Sequence, residues 1–274
     1  MKTSLNPSLI KSTLLATLLG ASSAIAGEPE KPAPMVAAPE SMLSGTLNFD
    51  YNTHFISYGF DVWGDGNDLD GGTFNPSLEL TWKLPNHFSA ILGTWWDVND
   101  HVESSLGGDI QEIDVWAGLG YSIGDLSITT LYQAWNYASE TEDILDIKFA
   151  YNCLLNPSLT IHNRLDAGGS GGQEGTILLL GLSHSVEAGP VTISFPLNIA
   201  YFLQDDYHPF STDSGFGYGS LGVTATYPLT FLGEAYGKWN IHGGVTYYVT
   251  SSDVVANPVD DNFFTANIGI GCAF

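Results

Sequence analysis

Residues 47–55 alternate without a break: Leu47, Phe49, Tyr51, Thr53 and Phe55 fall on one face, Asn48, Asp50, Asn52 and His54 on the other. A period of two is the mark of a strand with one apolar side. It returns as Phe74, Leu78, Leu80 and Trp82 against Asn75, Ser77, Glu79 and Thr81, with Pro76 near enough to the start of its run to be tolerated. Twelve such runs follow one another to the last residue. A chain written this way folds into sheet, and the question is which kind.

The connectors answer it, because they alternate in length. "LPNH", "GD", "CLLNP" and "EAGP" are short, and only "PLTFLGEAYGK" is longer on that side. The other side carries polar, Gly- and Asp-rich segments at residues 60–73, 97–110, 138–143, 166–175, 203–215 and 250–262. An even number of membrane-length strands, with short turns at one rim and long loops at the other, specifies an all-β fold. The expected fold is a closed antiparallel transmembrane β-barrel of about 12 strands, with periplasmic turns and outward loops. Its expected place is the outer membrane of a Gram-negative cell.

The pair Gly124-Asp125 tests the register. As a two-residue turn it sets Ile123 against Leu126, Tyr121 against Ile128, Ala117 against Tyr132 and Val115 against Ala134, so the apolar sides coincide. Trp116 then meets Gln133 on the other face. A soluble two-sheet sandwich is the competing fold, and it needs its polar faces in water. Here those faces carry Trp95, Trp116 and Trp135 among Asn, Asp and Thr, which suits a crowded lumen.

Ahead of the barrel, Lys2 and Lys11 precede an apolar run at residues 12–25 that closes in the small residues "ASSAIAG". This is the pattern of a signal peptide cut after Ala26, too short to span a bilayer as a helix. Residues 27–43 are rich in Pro, Ala and Glu and read as a flexible periplasmic tether, which leaves residues 44–274 for the barrel. Removal of residues 1–26 leaves five basic residues against 30 acidic ones, a formal charge near −25. That sign excludes nucleic acid as a partner. Cys153 falls in a turn and Cys272 on the last strand, about half a circumference away and beyond the ~7 Å that a disulfide bridges, so both are expected to be free thiols.

The final run, "FFTANIGIGCAF", sets Phe264, Ala266, Ile268, Ile270 and Phe274 on one face. It resembles the C-terminal strand signature, ending in Phe, of bacterial outer-membrane barrels. That resemblance implies that Phe274 is an assembly signal read by the barrel-assembly machinery. The first run, "FDYNTHFISYGFDV", resembles the opening of a porin family in which an aromatic residue precedes an Arg-Gly pair by three positions. Phe55 and Gly59 match that pattern, and Tyr58 stands where the Arg would be.

Twelve strands lie between the roughly eight that side chains fill and the roughly sixteen that leave an aqueous channel, so the inward residues decide what the lumen is. Parity puts Asp50, Glu79, Glu112, Asp114 and Asp146 inside with Lys148 and Arg164, and adds His54, His162 and His242 as titratable groups. With Asn152 set against Ser158, Lys148 pairs with His162 and Asp146 with Arg164. Both inward cations then share one wall, opposite the wall that carries Asp50. Cations facing acids across a constriction resemble the transverse field of general porins. The expected function is a passive diffusion channel for small hydrophilic solutes, with a mild cation preference. The alternative is a closed structural or surface-binding barrel, in which the same groups pair and plug the lumen.

The outward loops invite two further readings. Asp68 with Asp70, and Asp206 with His208, reproduce the D-x-D and D-x-H spacings of omptin-type proteases, where an Asp-oriented His activates water. That family has ten strands, so an omptin-like protease is a minor alternative to a barrel that is not an enzyme. "DVWGDGNDLDGG", residues 61–72, invites an EF-hand, but Leu69 stands where the third ligand of a loop starting at Asp65 belongs. No metal ligand and no cofactor is expected. The acidic rim reads instead as solvated loop that also suits divalent cations bridging lipopolysaccharide phosphates. Outer-membrane lipid and lipopolysaccharide are the expected partners, and the sequence specifies no oligomeric state.

Overall fold

A computed structural model of the chain describes residues 41–137 and 140–274, so the expected signal peptide and nearly all of the tether lie outside the described residues. The wall is made of β1 (Leu43–Asn52), β4 (Thr73–Lys83), β5 (Phe88–Val98), β6 (Ile110–Ile123), β7 (Leu126–Tyr137), β8 (Glu140–Tyr151), β9 (Ser158–Asp166), β10 (Gly175–Ala188), β11 (Val191–Phe202), β12 (Gly215–Pro228), β13 (Lys238–Thr250) and β14 (Asn262–Ala273). Each of these twelve strands is antiparallel to both neighbours, and β1 closes the ring by pairing with β4 on one side and β14 on the other. Two short strands, β2 (Ile56–Ser57) and β3 (Phe60–Asp61), pair only with each other. The fold is a closed twelve-stranded antiparallel barrel. Closure removes every sheet edge, the condition for placing strands in hydrocarbon.

The two faces of the wall differ as the alternation requires. Leu119, Leu221 and Ile268 point outward and are 56%, 56% and 57% exposed, and Phe49, Leu92, Tyr132 and Phe195 share that outer belt. A continuous apolar surface of this kind is matched by lipid and not by water. The inner face carries buried polar groups instead, among them Asn75, Thr129, Thr160, Thr192 and Ser194. The hairpin β6–β7 has the register its turn dictates, with Ile123 opposite Leu126 and Val115 opposite Ala134. Gly124 supplies the positive φ, 58°, that this two-residue turn needs at its first position.

At the turn rim the one long connection, residues 229–237, makes two 3₁₀ turns and folds against the outer wall. There Cys272, on the outward side of β14, lies under the Tyr236 carbonyl, and Cys153 is exposed in its turn; neither is bridged.

The wall differs from the sequence reading at four main places. β1 ends at Asn52 and not at Phe55: Thr53 N–H still donates to the Ala266 carbonyl of β14, and the chain beyond it turns inward. The Phe55 ring then sits 5.0 Å from that of the inward Trp95. β5 and β8 are longer at the loop rim than expected, which moves Asp97 and Glu142 from the loops at 97–110 and 138–143 into the wall. The turn between β8 and β9 closes two residues earlier than assumed, with Ala150 opposite Ser158. Its backbone is fixed by Tyr151 N–H donating to the Pro157 carbonyl and Asn156 N–H to that of Cys153. A slip of two keeps every side chain on its face and changes only its cross-strand partner.

Candidate functional site

The lumen has two unlike halves. At the loop end it is filled by a layer of apolar side chains: Ile177, Ala200, Phe202 and Tyr218 from the wall, with Tyr207, Val254 and Val255 from two loops. Tyr58 and Phe60 pack against this layer from the β2–β3 hairpin. That hairpin is the part of the first loop that enters the barrel. Its turn, Tyr58-Gly59, has φ of 47° and 86°, the pair of positive values that a tight two-residue hairpin turn demands. Gly59 is required on two counts, since a Cβ there would also lie 2.6 Å from the Tyr218 ring. Tyr58 has no such licence, and its left-handed backbone is held by what its side chain touches.

What it touches is His162. This residue, on β9, is 0% exposed, and its ring lies 4.0 Å from that of Tyr58 and 5.7 Å from that of Trp135. Its Nδ1 is 2.7 Å from both Asp146 Oδ1 and the Tyr58 hydroxyl, and its Nε2 is 2.8 Å from the Tyr207 hydroxyl. Asp146 favours the proton on Nδ1, which leaves Nε2 to accept from Tyr207. One imidazole thereby joins the wall to two loops. Next to it on the strand, Arg164 Nε donates to Glu142 Oε1 at 2.5 Å, and Nη1 donates to the carbonyls of Tyr207 and Gln173 at 2.5 and 3.2 Å. The guanidinium also stacks 3.7 Å above the Tyr207 ring.

These contacts correct the pairing expected of the inward charges. Asp146 pairs with His162 and not with Arg164, Arg164 pairs with Glu142, and Lys148 lies opposite Thr160. The two-residue difference in turn closure sets His162 opposite Asp146 and Arg164 opposite Ile144, and beside the register irregularity at residues 143–144 Arg164 reaches past Ile144 to Glu142. Lys148 keeps Asp146 and Glu79 as its charged neighbours. Glu79 accepts from the Trp116 indole at 3.0 Å. Across the barrel, Asp50 meets His242 on β13 at 2.7 Å, with side chains 25% and 16% exposed, so it too has its own partner. Glu112 and Asp114 are buried side by side, and among the described residues Asp114 Oδ1 meets no hydrogen-bond donor. His54, expected on the wall, belongs to the first loop, where Nε2 meets the Gly66 carbonyl at 2.9 Å.

The lumen contributors that sequence reading missed are Tyr58, Asp97, Glu142 and Tyr207. Asp97 is 0% exposed and accepts from Thr73, Asn75, Asn99 and the Trp63 indole. The parity that marked Asp146 as inward, carried two steps further, reaches Glu142. Nothing local marks Tyr58 or Tyr207, because a loop that turns inward obeys no period.

In the outward loops, the spacings D-x-D and D-x-H do not assemble into one site. His208 is 3% exposed, stacked on Phe60 and tilted against Phe202, and its Nε2 faces the Tyr58 carbonyl at 3.4 Å. Burial, then the Arg164 guanidinium, pushes its pKa down to about 3. Asp68 and Asp70 are exposed and bonded to each other through the Asp70 N–H, and among the described residues no hydrogen bond or ion pair links them to His208. The loop acids are not all solvated. Asp61 is 1% exposed, accepts from Gly66 N–H at 2.8 Å, and is pushed above the usual carboxylate range by burial.

No protein-family model and no curated protein matches the sequence. Among solved structures the chain is similar to a KdgM porin, at 12% identity and TM-score 0.48, over 84% of this chain and 99% of that one. It is similar to a NanC porin at 10% identity and TM-score 0.45, over 83% and 98%. It is also similar to the translocator domain of the autotransporter NalP from Neisseria meningitidis, at 14% identity and TM-score 0.44, over 87% and 91%.

Proposed function

We propose that this chain is an outer-membrane barrel of the porin type, a passive path for small hydrophilic solutes with a mild preference for cations. The observation that carries this reading is the contrast between the two faces of one closed wall. The outer face is a broad apolar belt, while the inner face toward the turn end carries small polar residues together with Lys148 and Glu79, and the partly exposed pair Asp50 and His242. Small polar side chains occupy less of a ring than large ones do, and this supports reading that half of the lumen as wet. The cation preference follows from the balance of charge. Acids crowd the loop rim, Arg164 is matched by Glu142, and the field that remains at the mouth attracts counter-ions.

A second reading, a closed structural barrel, is favoured by one observation, the apolar layer that fills the loop end. Planar-bilayer recordings separate the two. The channel reading expects conductance from the refolded protein and a cation-selective reversal potential under a salt gradient. That selectivity weakens as the Debye length falls from about 10 Å at 0.1 M to about 3 Å at 1 M salt. A correctly inserted barrel that conducts nothing supports the closed reading instead.

A further inference from the structure

The β2–β3 hairpin is attached to the barrel in a different way from every wall strand. Its two-residue strands pair only with each other, so no ladder joins it to the sheet. It is held by side chains. At the tip, the Tyr58 hydroxyl lies 2.7 Å from His162 Nδ1. At its shoulders, Asn257 donates to the Gly59 carbonyl at 3.1 Å and accepts from Asp61 N–H at 2.7 Å, and His208 Nε2 faces the Tyr58 carbonyl. Each of these polar bonds is one that water can replace, and the remaining hold is the packing of Tyr58 and Phe60 against the apolar layer; removal of a wall strand, by contrast, opens the barrel. Tyr58 also sits in a backbone region that L-residues rarely adopt, so release of the tip relieves strain.

We infer that the residue 56–61 hairpin is a gate, latched shut at its tip by the contact between Tyr58 and His162, and that its withdrawal, together with the loop residues Tyr207, Val254 and Val255 of the layer it packs on, connects the polar half of the lumen to the outward mouth. This rests on the channel reading and specifies how that channel is controlled. Tyr58 is the hairpin's deepest contact with the wall, and it covers His162 together with Trp135 and Tyr207. His162 is a positioning residue here. Asp146 orients its imidazole from β8, and Tyr207 holds its other nitrogen, while Arg164, Glu142 and His208 complete the charged and titratable groups around it.

Single-channel recordings test the gate with three proteins whose folding is verified by heat-modifiable mobility. Wild type is expected to be mostly closed, with brief openings. Tyr58→Gly removes the ring and the backbone strain together, and is expected to raise the open fraction at least tenfold. The third protein carries Gly59→Cys and Tyr218→Cys with Cys153 and Cys272 replaced by Ser. Tyr218→Cys removes the ring that bars a side chain at Gly59 and leaves only the strain of a positive φ there; a Cβ at Gly59 lies 2.9 Å from Tyr218 Cβ, so a small shift of the hairpin brings the pair into disulfide range. It is expected to be silent when oxidised and to regain openings on reduction. Equal conductance from wild type, Tyr58→Gly and both redox forms overturns the gate while the channel reading stands. Silence from all of them, with insertion verified, removes the channel reading and the gate with it.

Discussion

Gly45 and Phe274 fasten the ring. Gly45 N–H donates to the Phe274 carbonyl at 2.8 Å and Phe274 N–H to the Gly45 carbonyl at 3.0 Å, so the terminal residue completes the seam between β1 and β14. A Cβ on Gly45 would lie 2.5 Å from the Phe274 ring, so that ring occupies the space a side chain would need. The last residue therefore has a structural task besides the recognition role its resemblance implies.

Two changes at this seam follow different courses. Deletion of Phe274 is expected to lower the yield of folded barrel several-fold while leaving export intact, since residues 1–26 are untouched. Gly45→Val keeps the terminal Phe but drives a branched side chain into its ring, which costs about 1–3 kcal/mol when neighbours must shift. The measurement is the fraction of heat-modifiable band and its unfolding midpoint in urea. Equal midpoints for Gly45→Val and wild type sink the packing argument.

The residues at this seam also show what is legible in a sequence of this kind. Alternation located every wall strand, because period two is a local property and a barrel leaves one face in lipid and the other in the lumen along the whole chain. The Gly124-Asp125 turn gave its hairpin a unique register, whereas the turn at residues 152–157 admitted two closures of the same parity and led to the wrong partner for Arg164. Asp97 and Glu142 were read as loop because acids look alike at a rim and on a wall. The hairpin tip at Tyr58 was legible only as a departure from a motif, since its meaning lies in His162, 104 positions away along the chain.

The protease spacing makes its own prediction. With His208 buried among Phe60, Phe202 and Tyr207 and only 3% exposed, its ring is nearly closed to solvent in this arrangement. The refolded barrel, supplied with lipopolysaccharide, is expected to leave a basic peptide intact over hours, and Asp206→Ala to behave as wild type. Cleavage that is lost in both Asp206→Ala and His208→Ala contradicts this.

His208 should make the loop end sensitive to acid. Its pKa is about 3 in the folded state against an ordinary 6.5, so the folded state resists protonation. Above pH 6.5 neither folded nor unpacked loop carries the proton, and the group has no influence on stability. As pH falls below 6.5 the unpacked loop gains a proton that the packed one refuses, and packing weakens by roughly 1.4 kcal/mol per pH unit until about pH 3. Limited proteolysis of the residue 203–214 loop should therefore speed up about tenfold for each unit between pH 6 and pH 4, read with an acid-tolerant protease corrected for its own pH profile. His208→Phe, apolar and similar in size, should remove that slope. A slope that persists in His208→Phe assigns the sensitivity to another group.

The Arg164–Glu142 pair yields the last prediction, because both side chains are only 3% exposed. Arg164→Met removes the guanidinium from Glu142, from the carbonyls of Tyr207 and Gln173, and from the Tyr207 ring, and leaves a buried carboxylate for which, among the described residues, the Tyr137 hydroxyl at 2.6 Å is the remaining side-chain donor. Breaking one side of a buried pair costs about 3–5 kcal/mol, most of it from the charge left behind. Arg164→Met with Glu142→Met removes that charge as well, and should recover most of the loss even though no ionic contact is restored. The Tyr207 carbonyl loses its donor in both variants, so recovery measures the stranded carboxylate and not the loop contact. Urea unfolding in detergent, read from heat-modifiable mobility, gives the three midpoints. A double variant no more stable than Arg164→Met alone would mean that the guanidinium serves mainly to hold the Tyr207 loop, and that Glu142 contributes little to the cost.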